Sequence, residues 1–217
     1  MIKRIAIMLK KLGLALAAFG AAIGLAGCGV NDIPTREENA KAKFGDLQSA
    51  YQRRADLVPN LVATVQAAAK QERATLVEVT EARAKATSVN VDASTITNPG
   101  AMAEFAKAQD GMSSALGRLM VVVEKYPELK SNQNFITLQD QLEGTENRIT
   151  IARRDYNDAA RSYNTTLRTF PSVVWAKTVY SSSKPMAYFE AQAAAQTAPK
   201  VDFSGLEAAP ASVAAAN

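Results

Sequence analysis

Enzymatic chemistry near neutral pH needs a proton shuttle, a nucleophile, a metal cage or a phosphate cradle. This sequence is poor in the residues for each. There is no histidine among the 217 residues, which excludes Ser-His-Asp and Cys-His catalysis and imidazole-bound metals. Cys28 is the only cysteine, so an intrachain disulfide is impossible. A metal would have carboxylates alone, the ligand set of weakly bound hard ions. No glycine-rich phosphate loop or oxyanion turn is present. Glu72, Glu81 or Glu146 beside an arginine are the ingredients of a hydrolase, but acid–base work would need a cleft that perturbs them. We predict no catalytic residue, metal ligand or cofactor.

Another group of residues has the types and spacing for recognition. Arg53, Arg54, Asp56, Pro59 and Asn60 fall together, as do Glu146 and Asn147. Tyr156-Asn157 recurs seven residues later as Tyr163-Asn164, and Trp175 is the only tryptophan. Arg53, Arg54, Asp56, Pro59, Asn60, Glu146, Asn147, Tyr156, Asn157 and Trp175 are therefore the candidate partner-binding residues. Each has a plainer account. Arg53 and Arg54 lie off the apolar stripe beside Asp56, where surface ion pairing is worth little, and Pro59 can simply kink a helix. The tyrosines can pack in a core with their hydroxyls at its rim. Trp175 can cap the end of a core or anchor a partner.

The elements that position these residues are helices. From Lys130 to Phe170 there is no proline, and apolar or small residues recur at Phe135, Leu138, Leu142, Thr145, Ile149, Ala152, Tyr156, Ala159, Tyr163, Thr166 and Phe170. Steps of three and four make a helical heptad, roughly 60 Å long at about 1.5 Å per residue. Ser131 and Asn132 can cap its start, and Pro171 stops it. Glu143 to Asn147 interrupt the seam, either fixing register or making a polar site between helices. An earlier stripe runs through Phe44, Leu47, Tyr51, Ala55, Val58, Val62, Val65 and Ala69, and on to Leu76, Val79 and Arg83. Unbroken, that helix would be roughly 75 Å long, so a break is expected either at Pro59 or near Gln71. Residues 87–100 read as a loop ending in Pro99-Gly100. Met102, Phe105, Gln109, Met112, Leu116, Leu119, Val123 and Tyr126 restore the heptad, and Leu119 to Val123 is apolar all round, as for a segment buried on most sides. The predicted fold is all-α, an up-and-down four-helix bundle of long helices.

The N-terminus is of a different kind. Lys3, Arg4, Lys10 and Lys11 precede an apolar run, Leu12 to Gly24, followed by the tetrad Leu25-Ala26-Gly27-Cys28 with small residues just before the cysteine. This is the layout of an export signal. The tetrad resembles the bacterial lipobox, which implies cleavage after residue 27 and a diacylated Cys28. The alternative is an uncleaved anchor helix from Leu12 to Val30. Without those four cations, the remaining lysines and arginines balance the 21 acidic residues, so there is no electrostatic footprint for nucleic acid. The predicted organisation is a signal peptide at 1–27, a lipidated tether at 28–35, a helical domain at 36–203 and a disordered tail at 204–217. Two acyl chains suffice for stable anchoring. The domain would sit outside the cytoplasm, and Gly29 after the cysteine leans towards the outer membrane where the source has one.

Several stretches together resemble the LemA family of bacterial envelope proteins. They include Arg53-Arg54-Ala55-Asp56-Leu57-Val58-Pro59-Asn60-Leu61-Val62, Thr80-Glu81-Ala82-Arg83, Tyr126-Pro127-Glu128-Leu129-Lys130 and Leu142-Glu143-Gly144-Thr145-Glu146-Asn147. Asn134-Phe135, Ala152-Arg153, Tyr156-Asn157, Tyr163-Asn164, Phe170-Pro171 and Ala198-Pro199-Lys200-Val201-Asp202-Phe203 extend the resemblance over roughly residues 36–203. It implies a four-helix, up-and-down bundle outside the cytoplasm, no established enzymatic activity, and links with membrane proteostasis and envelope maintenance. The family's usual form keeps an N-terminal membrane helix where this chain has a lipobox. The function expected is a non-catalytic, lipid-anchored bundle that presents a surface to other envelope proteins, with a self-assembling scaffold as the alternative.

Overall fold

The computed structural model describes residues 13, 29–89, 92 and 95–190. Cys28, the stretch read as an export signal apart from Gly13, and the stretch 204–217 read as a tail lie outside the described residues. Within the described residues the chain is helical and has no strand: α1 is Asp32–Ala68, α2 Arg73–Ser88, α3 Pro99–Val123, α4 Pro127–Lys130, α5 Gln133–Thr166 and α6 Ser172–Thr178, with one 3₁₀ turn at Thr95–Thr97.

α1 and α5, of 37 and 34 residues, are the long members and pack along each other. They run in opposite senses: Arg36 near the start of α1 meets Ser162 near the end of α5, and Arg53 meets Gln141. α2 folds back on α1, and α3 folds back on α2, where Arg118 pairs with Glu78. Asparagines open two of the helices. Asn132 Oδ1 accepts from the backbone N–H groups of Asn134 and Phe135 at 2.9 and 3.3 Å. Asn98 does the same for Gly100 and Ala101, with Pro99 at a first-turn position that needs no N–H.

Burial is divided between two clusters. One joins the second half of α1, α2, the second half of α3 and the start of α5, through residues such as Val58, Leu61, Val79, Leu119, Phe135 and Leu142. The other joins the first half of α1, the start of α3 and the second half of α5. It is strongly aromatic: Tyr51 and Phe105 meet edge to face at 5.3 Å, and Phe189 meets both Phe105 and Tyr156.

The structure decides one open expectation and corrects several others. Of the two break points left open it takes the one near Gln71: Pro59 lies inside α1, and the chain turns at Ala69–Glu72, where Gln71 donates to the Tyr126 hydroxyl and that hydroxyl donates to Glu72. α2 runs to Ser88 and α3 opens at Pro99, so the stretch 87–100 is shorter as a loop than its composition suggests. Its Pro99-Gly100 pair works as a helix start because Asn98 caps it. α5 ends at Thr166, and Phe170 is 84 % exposed rather than on the seam. Val121 is 66 % exposed, so Leu119 to Val123 is not buried on every side. Leu142 and Ile149, neighbours on the predicted seam, fall in different clusters, Leu142 with Leu119 in one and Ile149 in the other. α1 begins at Asp32, within the stretch read as tether, and Ile33 is already buried.

Candidate functional site: a buried arginine layer and an amide clamp

Arg54 is the centre of the polar structure. It is fully buried, against the expectation of surface pairing. Seen from α1 alone it lies off the stripe, but α3 closes over that side. One terminal nitrogen, Nη1, donates to Ser113 Oγ at 2.6 Å and to Glu146 Oε1 at 2.8 Å. Nη2 donates to the Gln109 carbonyl at 3.0 Å and to its side-chain Oε1 at 2.8 Å. The guanidinium also lies 5.2 Å from the centre of the Tyr51 ring. Gln109 passes the network on, donating from Nε2 to the Ala86 carbonyl of α2 at 3.1 Å. One cation thus ties together α1, α3 and α5, and its acceptor reaches α2. The layer sits where the two apolar clusters meet. Thr145, buried beside it, turns its hydroxyl back to the Gln141 carbonyl at 2.7 Å. The interrupted seam of α5 is a polar site between helices.

Arg153 forms a second, half-buried part of this layer. It donates from Nε to the Tyr51 hydroxyl at 2.6 Å and pairs with Asp110 at 3.0 Å. Its guanidinium lies over the Tyr51 and Phe189 rings. Burial pushes the ionisation of the Tyr51 phenol above its ordinary range, although Arg153 pulls it back.

Pro59 and Arg83 explain each other. Proline has no N–H, so the Ala55 carbonyl one turn earlier loses its helical donor. Arg83 of α2 donates to that carbonyl from Nε at 2.7 Å. The helix therefore passes through Pro59 with its backbone satisfied from outside.

The tyrosine–asparagine pairs make the third feature. Asn164 Nδ2 donates to the Met186 carbonyl at 2.9 Å, and the Met186 N–H donates to Asn164 Oδ1 at 2.8 Å. Asn157 repeats the two-bond pairing with Phe189 at 3.0 and 2.9 Å. Tyr156 donates its hydroxyl to the Ala187 carbonyl at 2.8 Å, and the Ala187 N–H donates to the Ile96 carbonyl at 2.7 Å. Each side-chain amide turns an N–H and its carbonyl oxygen to the segment, as a peptide group does, so the two asparagines act as a strand's edge for residues 186–189, and Asn164 Nδ2 also donates to the Tyr188 hydroxyl at 2.9 Å. Seven residues of helix and three of extended chain both advance about 10 Å. This is why the pairs recur at seven. Burial raises the Tyr156 and Tyr163 phenol ionisations, which keeps both hydroxyls neutral.

The ten candidate recognition residues are thus dispersed. Arg54 and Tyr156 are buried, Glu146 and Asn157 are their half-buried neighbours in the polar networks, and Pro59 is matched by Arg83. Arg53, Asp56, Asn60 and Asn147 are exposed; Asp56 accepts from Gln52 at 2.7 Å. Trp175 is half-buried beside the aromatic cluster. Glu72 and Glu146 stand in separate networks, Glu72 with Tyr126 and Glu146 with Arg54, while Glu81 is exposed. The Ser113 hydroxyl accepts from Arg54 and turns to the Gln109 carbonyl, 3.4 Å away, so it faces no base. Sequence reasoning missed Ser113 as a partner of Arg54. Gln109 had a visible signal, as an amide on an apolar stripe.

A family model, described as the LemA family, matches residues 43–203. The chain belongs to the LemA family. Among its relatives, magnetosome protein MamQ of Magnetospirillum gryphiswaldense is 26 % identical over 157 residues, covering 65 % of this chain and 58 % of the relative. Magnetosome protein MamQ 2 of Paramagnetospirillum magneticum is 42 % identical over 64 residues, or 30 % of this chain and 24 % of the relative. Protein LemA of Metamycoplasma hominis is 26 % identical over 124 residues, covering 57 % and 52 %. The chain therefore spans less than two thirds of each of these relatives. The LemA-family stretches noted in the sequence include Arg54 and Glu146, Pro59 and Arg83, and the two asparagines of the amide clamp, while Gln109, Ser113 and residues 186–189 lie outside them. No described helix is long and apolar enough to cross a membrane.

Proposed function

We propose that this LemA-family chain is a non-catalytic envelope protein, anchored by lipid on Cys28, whose long helices form an up-and-down four-helix bundle that presents its surface to other envelope proteins. One observation carries the reading. The side chains best suited to chemistry are committed to one another, with Arg54 donating four hydrogen bonds to groups on α3 and α5. The polar groups left for recognition are on the outside, with Arg53, Asp56 and Asn60 on α1 and Asn147 on α5. Leu25-Ala26-Gly27-Cys28 behind a short apolar run supports lipid anchoring, with the domain outside the cytoplasm and the outer membrane favoured by Gly29. That relatives bear the name magnetosome protein supports a role within an assembled structure. Envelope maintenance or membrane protein quality control is the process this role fits.

Mass spectrometry of the purified protein tests the anchor: residues 1–27 should be missing and Cys28 should carry a lipid adduct. An intact Met1–Gly27 on the mature protein would sink it. Photocrosslinkers placed at Arg53 and Asn60 in the native envelope test the surface. They should capture other envelope proteins at defined sites. Failure to capture any protein from either position would overturn the binding role.

A further inference from the structure

The start of α1 is seated against the turn that leads from α5 into α6. Gly29 is buried there, and its carbonyl accepts from Ser172 Oγ at 3.5 Å. A Cβ on Gly29 would meet that hydroxyl at 3.1 Å and Pro171 at 3.2 Å. Cys28 is the preceding residue in the sequence, at most about 3.8 Å of chain away. No length of tether separates the folded chain from the point where attachment to a membrane would begin.

Apolar side chains stand exposed around this seat. Phe170, Val174 and Val179 are 84 %, 48 % and 60 % exposed. The exposed Val77, Val121 and Ile151, by contrast, stand singly on α2, α3 and α5. The Val173 N–H donates to the Thr169 carbonyl at 2.8 Å, so Phe170 and Val174 are about one helical turn apart. Lys177 follows three residues later, on the same side of α6.

The charge at this end has one dominant sign. From Ala159 to Phe189 there is no aspartate or glutamate, while Arg168, Lys177 and Lys184 are exposed. Across from them on α1, Glu37 and Glu38 are held by Lys41, and Asp32 is outnumbered. Exposed apolar side chains flanked by cations are the composition of a contact with an anionic lipid surface.

We propose that this end of the bundle docks on the bilayer. Phe170, Val174 and Val179 enter the boundary between headgroups and acyl chains, and Arg168, Lys177 and Lys184 meet lipid phosphates. The docking rests on a membrane attachment just ahead of Gly29, by lipid on Cys28 or by the uncleaved helix. It adds an orientation: α1 and α5 rise from the surface and carry Asn60 roughly 40 Å along α1 from Asp32.

The test uses the full-length protein reconstituted in vesicles of phosphatidylethanolamine and phosphatidylglycerol. Phe170 is replaced by the photocrosslinker p-benzoylphenylalanine. Val121 is replaced likewise in a second sample, since it stands near the far end of the bundle, where Tyr126 meets Gln71 and Glu72. Illumination should give a phospholipid adduct at position 170, seen by mass spectrometry, and many-fold less at position 121. Arg168→Glu with Lys177→Glu should lower the adduct at 170 several-fold while helix content is unchanged. Flotation with the vesicles reports the attachment separately. A protein that floats but gives no lipid adduct at 170, equal adducts at 170 and 121, or a link from 170 only into a second copy would overturn the docking and leave the anchor standing. An unchanged yield in the double variant would also overturn it. A protein that does not float would sink the anchor, and the docking with it.

Discussion

Removing the Arg54 guanidinium strands the Gln109 side chain and carbonyl, Ser113 and Glu146 at one stroke. Arg54→Ala should therefore cost about 3 kcal/mol, the lower end for breaking a buried ion pair, because Glu146 is partly solvated. Leu119→Ala should cost about 2–5 kcal/mol, as for a buried aliphatic. Arg161→Ala should stay within about 0.5 kcal/mol, since its side chain is largely exposed and its pairing with Asp158 is a surface one. Urea melts measure all three. An Arg161→Ala as damaging as Arg54→Ala would contradict the burial assigned here. Tyr51 sets a pH limit. Its folded ionisation is raised above the usual 10.0, mainly by burial, so the folded state favours the neutral phenol. Stability from this group is complete below about pH 10 and is lost as pH rises through the folded value. Tyr51→Phe should flatten the alkaline fall in the melting temperature; an unchanged slope would remove Tyr51 as its source.

At the level of elements, α1 survives Pro59 because α2 supplies the missing donor. Arg83→Ala should cost about 1–3 kcal/mol, the penalty for an unsatisfied buried acceptor. Pro59→Ala restores an N–H that can reach the Ala55 carbonyl, so Arg83→Ala should cost less in that background, by about 0.5 kcal/mol or more. Strict additivity in the double-mutant cycle would count against the match. The clamp has a local readout. Asn164→Ala removes both bonds to Met186, so hydrogen exchange should quicken at the Met186 amide and spread towards Phe189. The amides in the middle of α5 should stay protected. Unchanged exchange at Met186 would show that packing alone holds the segment.

At the level of the molecule, two apolar clusters flank one polar layer, and both α1 and α5 run through all three. Neither cluster is an independent domain, since each is built from halves of the same helices. No histidine exists in the chain, and among the described residues no group of acidic or cysteine side chains gathers as a metal site would. Circular dichroism of the full-length protein should therefore show the same helicity and melting temperature with and without chelator. A large loss of helicity on adding chelator would require a metal that these residues do not suggest.

The sequence by itself determined what depends on local pattern. Helical periodicity and the seam through Phe135, Leu142, Ile149, Tyr156 and Tyr163 were legible because burial repeats every three or four residues along one helix, the cap at Asn132 because its bonds are local, and the likeness to the LemA family from its motif stretches. The tertiary structure decided whatever depended on a partner far along the chain. Arg54 read as a surface cation because its acceptors stand 55 to 92 residues away. Pro59 and the region near Gln71 stood as alternative break points because the remedy for Pro59, Arg83, belongs to the next helix. Glu146 read as an interruption until a buried guanidinium met it, and Tyr156-Asn157 and Tyr163-Asn164 read as a rim until residues 186–189 crossed them. Periodicity says which side of a helix faces inward. Only packing says which donors and acceptors meet there, since unpaired polar groups in a dry interior are penalised wherever in the sequence their partners lie.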